Sequence, residues 1–280
     1  MGMSHIRRPF KVAFSLVAVV VSGVLVACSS GSSGDVLQQV RDNGTLRVAL
    51  TQANPPWNFL DASGQPVGYD VDVAREVARR IGVDNVEFVA SNFQSFIEGV
   101  RAGRFDIVIS GQTVTDERKQ QVDFSTPYQV NGVSIFTASS TNSIDSLEDL
   151  RGKVIAVSAG TTQEKFASEE VPDAQVKTYQ NATLGLTDLG RGNADAMLVS
   201  RFQGSYLAKQ NGLHVKPVGP LLESEVNAMS FRKGSAEFKK EIDKAIAEMI
   251  EDGSLTKISR KWLGGLDMVE ELKELQPEQS

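Results

Sequence analysis

Three short apolar strands alternate with two amphipathic helices between Thr45 and Ser110, and this rhythm restricts the fold more than any single motif. "TLRVAL" alternates Leu46, Val48 and Leu50 as a strand does. "YDVDVAREVARRIG" then places Ala74, Val77, Ala78 and Ile81 on one helical face, with Gly82 at a C-cap position. A second strand is expected at "VEFVA", followed by a helix from about Phe93 to Arg101 whose Phe93, Phe96, Ile97 and Val100 share a stripe. In "FDIVIS" the apolar residues are consecutive, which predicts a strand covered on both faces. Short strands joined by crossover helices predict a parallel sheet, and ligands bind at the ends of such strands.

The same grammar restarts after "FSTPYQVNGVSIFTASS". Ser146 is expected to open a short helix to Leu150, "KVIAVSAG" reads as a strand into a glycine, Thr162 to Glu170 as a helix and "ADAMLVS" as a buried strand. The two α/β units share no sequence repeat. "SAEFKKEIDKAIAEMIEDGSLTKISRKWLG" reads as helical, with Phe238, Ile242, Ala245, Ile246 and Met249 on one side, and residues 267–280 as a frayed acidic tail.

The first residues do not belong to this pattern. Arg7, Arg8 and Lys11 precede an apolar run from Val12 to Ala27, which is shorter than the roughly 20 residues of a membrane span and has the layout of a secretory leader. It ends "LVAC", then "SSGSSG", which resembles a bacterial lipobox with Cys28 as the lipidated first residue of the mature chain and residues 28–36 as a tether. The alternative is a cysteine buried in the leader, with cleavage nearby. Cys28 is the single cysteine of the 280 residues, so no internal disulfide forms. Loss of residues 1–27 removes three of 29 basic residues and none of the 35 acidic ones, moving the formal charge from −6 to −9. That balance argues against a nucleic-acid partner.

Six segments follow one another in order: "GTLRVAL", "PPWNFLDASGQPVGYDVDVAREVARRIG", "FDIVISGQTVTDERKQQVDFSTPY", "DLRGKVIAVSAGTTQEKF", "ADAMLVS" and "EMIEDGSLTKISRKWLG", spanning about Gly44 to Gly264. Taken together they resemble the polar amino-acid family (family 3) of bacterial solute-binding proteins, the extracytoplasmic receptors of ABC importers. The resemblance implies an α/β fold of two lobes, the periplasmic-binding-protein type II fold, with the ligand in the cleft between them. Lobe 1 would be residues 37–127 plus 229–266 and lobe 2 residues 133–223, joined by hinge strands at 128–132 and 224–228. A monomer is expected, with an ABC permease as partner, a lipid anchor on the extracytoplasmic face, and no metal or cofactor.

In that family the arginine of a Thr-x-x-Arg pattern clamps the ligand carboxylate, and Arg118 falls on it. Its planar fork of donors suits a carboxylate in a way Lys cannot reproduce. Without the resemblance, an ion pair with Asp116 or Glu117 would be the default reading. Gly111 and Thr113 match further positions around the ligand, with Ser110 on the same wall. Phe93 matches the aromatic that stacks on ligand side chains, although it also belongs to the apolar stripe of its helix. Trp57 is expected at the cleft floor. In lobe 2, "SAGTTQEKF" matches the loop that meets the carboxylate from the other side, through Thr162 and Ser158.

Two departures from the family pattern matter. The aspartate that commonly binds the ammonium is replaced by Ser200, which brings no charge, and Thr51 and Asn54 precede Pro56-Trp57 where an acid and an aromatic are usual. Glu223 or Glu225, near the second hinge, could stand in for that aspartate. Arg201 could reach a second anion, but strand alternation points it away, toward solvent. The functional expectation is capture of a small carboxylate-bearing solute, an amino acid or a derivative. A dehydratase-like enzyme on the same fold and a ligand sensor working with a membrane partner are the alternatives. For an enzyme the acid–base candidates are few: His214 is expected away from the cleft, and Glu164 in the first turn of a helix, where it favours the helix dipole.

Overall fold

The computed structural model describes residues 36–275 together with Met1 and Gly2. Residues 3–27 of the expected leader and 28–35 of the expected tether, Cys28 among them, lie outside these, and Val36, the last residue of that tether, instead begins a helix. Helix α1 (Val36–Asn43) leads into β1 (Thr45–Leu50); β2 (Ala53–Asn54), β3 (Asn58–Leu60) and β4 (Pro66–Val67) form a small antiparallel sheet. Then come α2 (Tyr69–Arg80), β5 (Asn85–Ala90), a 3₁₀ turn at Phe93–Ser95 running into α3 (Phe96–Arg101), β6 (Ile107–Thr113) and α4 (Asp116–Lys119). A long strand, β7 (Val122–Ala138), is followed by β8 (Val154–Ser158), α5 (Thr162–Glu170), β9 (Gln175–Tyr179), α6 (Ala182–Gly190), β10 (Ala196–Ser200) and α7 (Arg201–Gln210). A second long strand, β11 (Val215–Arg232), leads to α8 (Ala236–Glu251), α9 (Ser254–Trp262) and α10 (Met268–Leu275).

One eight-stranded sheet runs β5-β1-β6-β11-β7-β10-β8-β9. At one end β5, β1 and β6 are parallel, and at the other β9, β8 and β10 are parallel, as the strand–helix rhythm predicts. The two long strands join these halves: β11 pairs with β6 through Asn227 to Phe231, while β7 pairs with β10 through Val133 to Phe136.

The cores divide along the same line. Leu46, Val48, Ala74, Val77, Ile107, Phe231 and Ile242 belong to one cluster. Val133, Ile135, Ile155, Val157 and Leu198 belong to a second, and Phe136, Ala156, Leu186 and Met197 to a third on the opposite face of the same strands. Strand β7 changes cluster between Val130 and Val133. Residues 36–275 are two-lobed, with two strands continuous through both lobes.

Local expectations hold where pattern alone decides. Gly82 adopts φ 77° just past α2 and bonds back to the Arg79 carbonyl at 3.3 Å. Ser146 opens no α-helix: the carboxylate of Asp149 accepts from the amide and hydroxyl of Ser146, at 3.0 and 2.9 Å, over a short 3₁₀ turn at Glu148–Leu150. Gly253, at φ 75°, splits the expected long C-terminal helix into α8 and α9.

The tail expectation is corrected. Residues 268–275 form α10, with Met268, Val269 and Leu272 buried, because the acidic side chains occupy one face and these apolar ones the other. The backbone N–H of Val130 on β7 donates to the Met268 sulfur at 3.0 Å, so this helix closes the back of the long strands.

Candidate functional site

Strand β6 brings Gly111 and Thr113 to one face by alternation and turns Ser110 and Gln112 to the other. Gly111 sits at φ 60°, a region that favours glycine. It lines a cavity of about 70 Å³ between the lobes, together with Asn54, Phe93 and Thr113 from lobe 1 and Ser158 and Thr162 from lobe 2. Asn131 of β7 and Gln203 of α7 add to the polar part of its wall, as do Thr51, Thr161, Gln163, Gln180 and Asn181.

Arg118 lines an adjoining groove that shares Thr161 and Thr162 with the cavity. Its Nη1 donates to the Thr113 carbonyl at 2.9 Å and its Nη2 to the Gly160 carbonyl at 3.0 Å, so the guanidinium bridges the lobes. The ring of Phe93 lies 5.7 Å beneath its Cζ. The neighbouring acids look elsewhere: Asp116 pairs with Lys119 at 3.1 Å and Glu117 with Lys165 at 3.7 Å. Arg118 forms no ion pair within 4.0 Å among the described residues. Burial lowers its pKa against the attraction of Glu225 and Glu117, yet a guanidinium remains charged in a protein.

On the lobe 2 side, Thr161 caps α5 by accepting from the Glu164 amide at 3.3 Å, which leaves Thr162 in the first turn. The Thr162 hydroxyl donates to Glu225 of β11, and Gln163 Nε2 donates to the same carboxylate at 3.0 Å. Glu225 is 4% exposed. Burial raises its pKa, the Thr162 hydrogen bond opposes this, and Glu223 raises it further. It is committed to the start of α5. Glu164 accepts from the Gly160 amide at 2.6 Å and so closes its own loop.

Other contacts draw the lobes together. Gln203 donates to the Asn54 side chain, and Gln180 donates to Asn92 at 3.0 Å. A side chain on Gly160 would begin 2.7 Å from Gln94 Cβ. The cleft is closed.

Three expected ligand contacts lie elsewhere. Ser110 is buried behind the wall and accepts from Asn58 Nδ2 at 3.0 Å, since alternation turns it from the cavity. Trp57 is 2% exposed and packs edge-on to Tyr69 with ring centroids 5.7 Å apart: its large apolar ring is taken into the lobe 1 core. Ser200 is buried opposite Val133 and does not reach the cavity. Arg201 begins α7 instead of continuing the strand. It is tied down, donating to Ser134 Oγ at 2.9 Å and to the Gly219 carbonyl at 2.7 Å, so it neither enters the cleft nor extends into water. His214 precedes β11 and is absent from the cavity wall. Among the described residues no cluster of His, Cys, Asp and Glu fits a metal ion, and no helix is long and apolar enough to cross a membrane.

A buried network beneath Gly111 is not legible in the sequence. Asp70 accepts from Asn58 Nδ2 at 2.7 Å and from the Tyr128 hydroxyl at 2.8 Å. The Gly111 amide donates to that same hydroxyl at 3.0 Å. Burial pushes the Asp70 carboxyl up to about 7, against the Asn58 and Tyr128 hydrogen bonds. Asp70 thereby fixes Tyr128, and Tyr128 fixes the backbone at the cavity wall. The available signal was an acid at the start of an otherwise apolar helical face, where the dipole alone would account for it.

Residues 46–265 match the bacterial extracellular solute-binding proteins, family 3. The L-cystine-binding protein TcyJ of Escherichia coli (strain K12) is 30% identical over 265 residues, covering 94% of this chain and 98% of its own. An ancestral arginine-binding protein bound to glutamine superposes with a TM-score of 0.75 at 39% identity, covering 79% of this chain and 98% of its own. The ancestral amino acid-binding protein AncCDT-1, a precursor of cyclohexadienyl dehydratase, also superposes at 0.75, with 35% identity and coverage of 82% and 99%.

Proposed function

This chain belongs to the bacterial extracellular solute-binding proteins, family 3, and from that premise we propose that it is the receptor of an ABC importer, closing two lobes over an amino acid or a related small carboxylate. The observation that carries the reading is Arg118. It is a cation without an acidic partner, held by carbonyls of both lobes beside a closed cleft. A ligand carboxylate supplies the missing anion, and because the same guanidinium touches Thr113 and Gly160, its binding favours the closed state over the open one. Thr162 and Ser158 face it from lobe 2, Gly111, Thr113, Asn54 and Phe93 from lobe 1.

Lobe 1 is residues 37–127 plus 229–266, lobe 2 is 133–223, and bending occurs at 128–132 of β7 and 224–228 of β11; the change of core between Val130 and Val133 on β7 supports the first of these. The protein works as a monomer, tethered through a lipid on Cys28 to the extracytoplasmic face of the cell membrane. Intact mass of the membrane-extracted chain tests the anchor: a lipid-sized increment lost in Cys28→Ser supports it, and equal lipid-free masses contradict it.

Binding without turnover is the reading favoured over a dehydratase. The acids nearest the cavity, Glu225 and Glu164, are engaged by Thr162, Gln163 and Gly160, and none is free to move a proton. A thermal-shift panel of the twenty standard amino acids, L-cystine and simple carboxylates tests the function. At least one amino acid is expected to raise the melting temperature and to be recovered chemically unaltered; stabilisation by none, or recovery of a product, contradicts the proposal.

A further inference from the structure

We propose that the ammonium group of the ligand is received by the side-chain amides of Gln129, Asn131 and Asn227, on the two strands that run through both lobes, in place of a carboxylate. The inference rests on reading the cleft as an amino-acid site.

Gln129 and Asn131 stand two residues apart on β7, and Asn227 of β11 pairs directly with Gln129, so all three face one side of the sheet. Thr113 of β6 lies opposite Asn227 on that same side. Thr113 and Asn131 line the cavity. A side chain on Gly111 would begin 3.2 Å from Gln129 Oε1 and 3.5 Å from Asn227 Nδ2, so the bare glycine opens the amide row to the cavity wall.

Gln129 and Asn227 are 1% and 0% exposed. Yet Gln129 Oε1, Asn131 Oδ1 and both polar atoms of the Asn227 side chain have no hydrogen-bond partner. Gln112, Thr137, Ser200 and Ser230 carry further unpartnered oxygens outside this amide row. Buried polar groups are ordinarily paired, and unpaired ones destabilise a fold. Three unpartnered amide oxygens on one face of two paired strands, against the single unpartnered donor Asn227 Nδ2, suit a donor-rich partner, and an ammonium group offers three donors and no acceptor.

The spacing points to an α-amino acid, in which carboxylate and ammonium leave the same carbon. Arg118 donates to the Thr113 carbonyl, and Thr113 is the cross-strand neighbour of Asn227. The carboxylate clamp and the amide row are therefore separated by no more than adjacent residues on paired strands. Glu225 lies one step along the same face, opposite Asn131, and adds negative charge nearby while its oxygens are held by Thr162 and Gln163.

Calorimetric titration of the purified full-length protein tests this, using the twenty standard L-amino acids and L-cystine, each beside its N-acetyl derivative. The wild type is expected to prefer a free amine by roughly tenfold to a hundredfold, the scale of charge-assisted hydrogen bonds. In Asn227→Leu that ratio is expected to fall below about threefold, while the ligand-free variant melts at a higher temperature because it has lost unpartnered polar atoms. Gln129→Met gives the same readout should Asn227→Leu fold poorly. A ratio that persists in both variants, or a wild type indifferent to N-acetylation, overturns the inference while leaving amino-acid binding intact. Failure of every compound to bind overturns both readings.

Discussion

Two groups of inward-turned polar side chains lie on opposite sides of the wall that β6 and β7 form, and they differ in one respect. Behind the cavity wall, Asp70, Asn58, Tyr128 and Ser110 bond to one another and to the Gly111 amide. In front of it, Gln129, Asn131 and Asn227 present oxygens with no partner. Burial alone does not distinguish structure from function. Between these two groups satisfaction does: the closed network holds the fold, and the open row is completed by the ligand, while single oxygens on Gln112, Thr137 and Ser230 lack partners elsewhere.

The largest effect expected from breaking this comparison is on stability. Asp70→Ala leaves the Tyr128 hydroxyl and the Asn58 amide unpaired in the core, and is expected to cost about 3 kcal/mol or more in urea denaturation. Next is closure. In Gly160→Val the added side chain meets Gln94 and the φ of 76° is strained, so the Kd for the best-stabilising amino acid is expected to rise at least tenfold. Titration of that variant checks it, with circular dichroism confirming the fold.

A smaller effect comes from pH. The Asp70 carboxyl has an ordinary value of 3.8 and about 7 in the fold, so the folded chain holds the proton more tightly than the unfolded one. Its contribution is fully present below 3.8 and is lost as pH rises through about 7. Urea midpoints are therefore expected to fall from pH 5 to pH 8. Asp70→Asn flattens that slope and lowers the midpoint at both pH values, because its amide N–H₂ replaces an acceptor needed by Asn58 and Tyr128. Smallest of all is Lys165→Ala. It breaks the exposed pair with Glu117, and ligand affinity is expected to change less than about threefold, as for other surface ion pairs.

Local pattern was enough for β1, α2, β6 and α8, where apolar residues recur at the period of the element they form. It did not show that β7 and β11 run 17 and 18 residues. Pro127, Gln129, Asn131 and Gly132 interrupt the apolar alternation there, and pairing with distant strands supplies what local propensity lacks. Those interruptions were themselves the signal: Gln129 and Asn131 sit two apart, the spacing that gathers polar groups on one face of a strand. An ordered motif pointed to Arg118, Gly111, Thr113 and Thr162; the last three line the cavity and Arg118 the adjoining groove. Ser110 and Trp57 were misplaced because a motif gives position along the chain, whereas alternation and core packing decide which way a side chain turns. The α10 helix was hidden by its charge, since Met268, Val269 and Leu272 make a short stripe among three glutamates.

The central claim is that Arg118 waits for an external carboxylate. Titrating wild type and Arg118→Ala with the amino acid that most stabilises the wild type tests it directly. Affinity is expected to fall at least a hundredfold, with the far-ultraviolet spectrum unchanged. Equal affinity in the two proteins would show that Arg118 serves the closed fold through Thr113 and Gly160 alone, and would contradict the account.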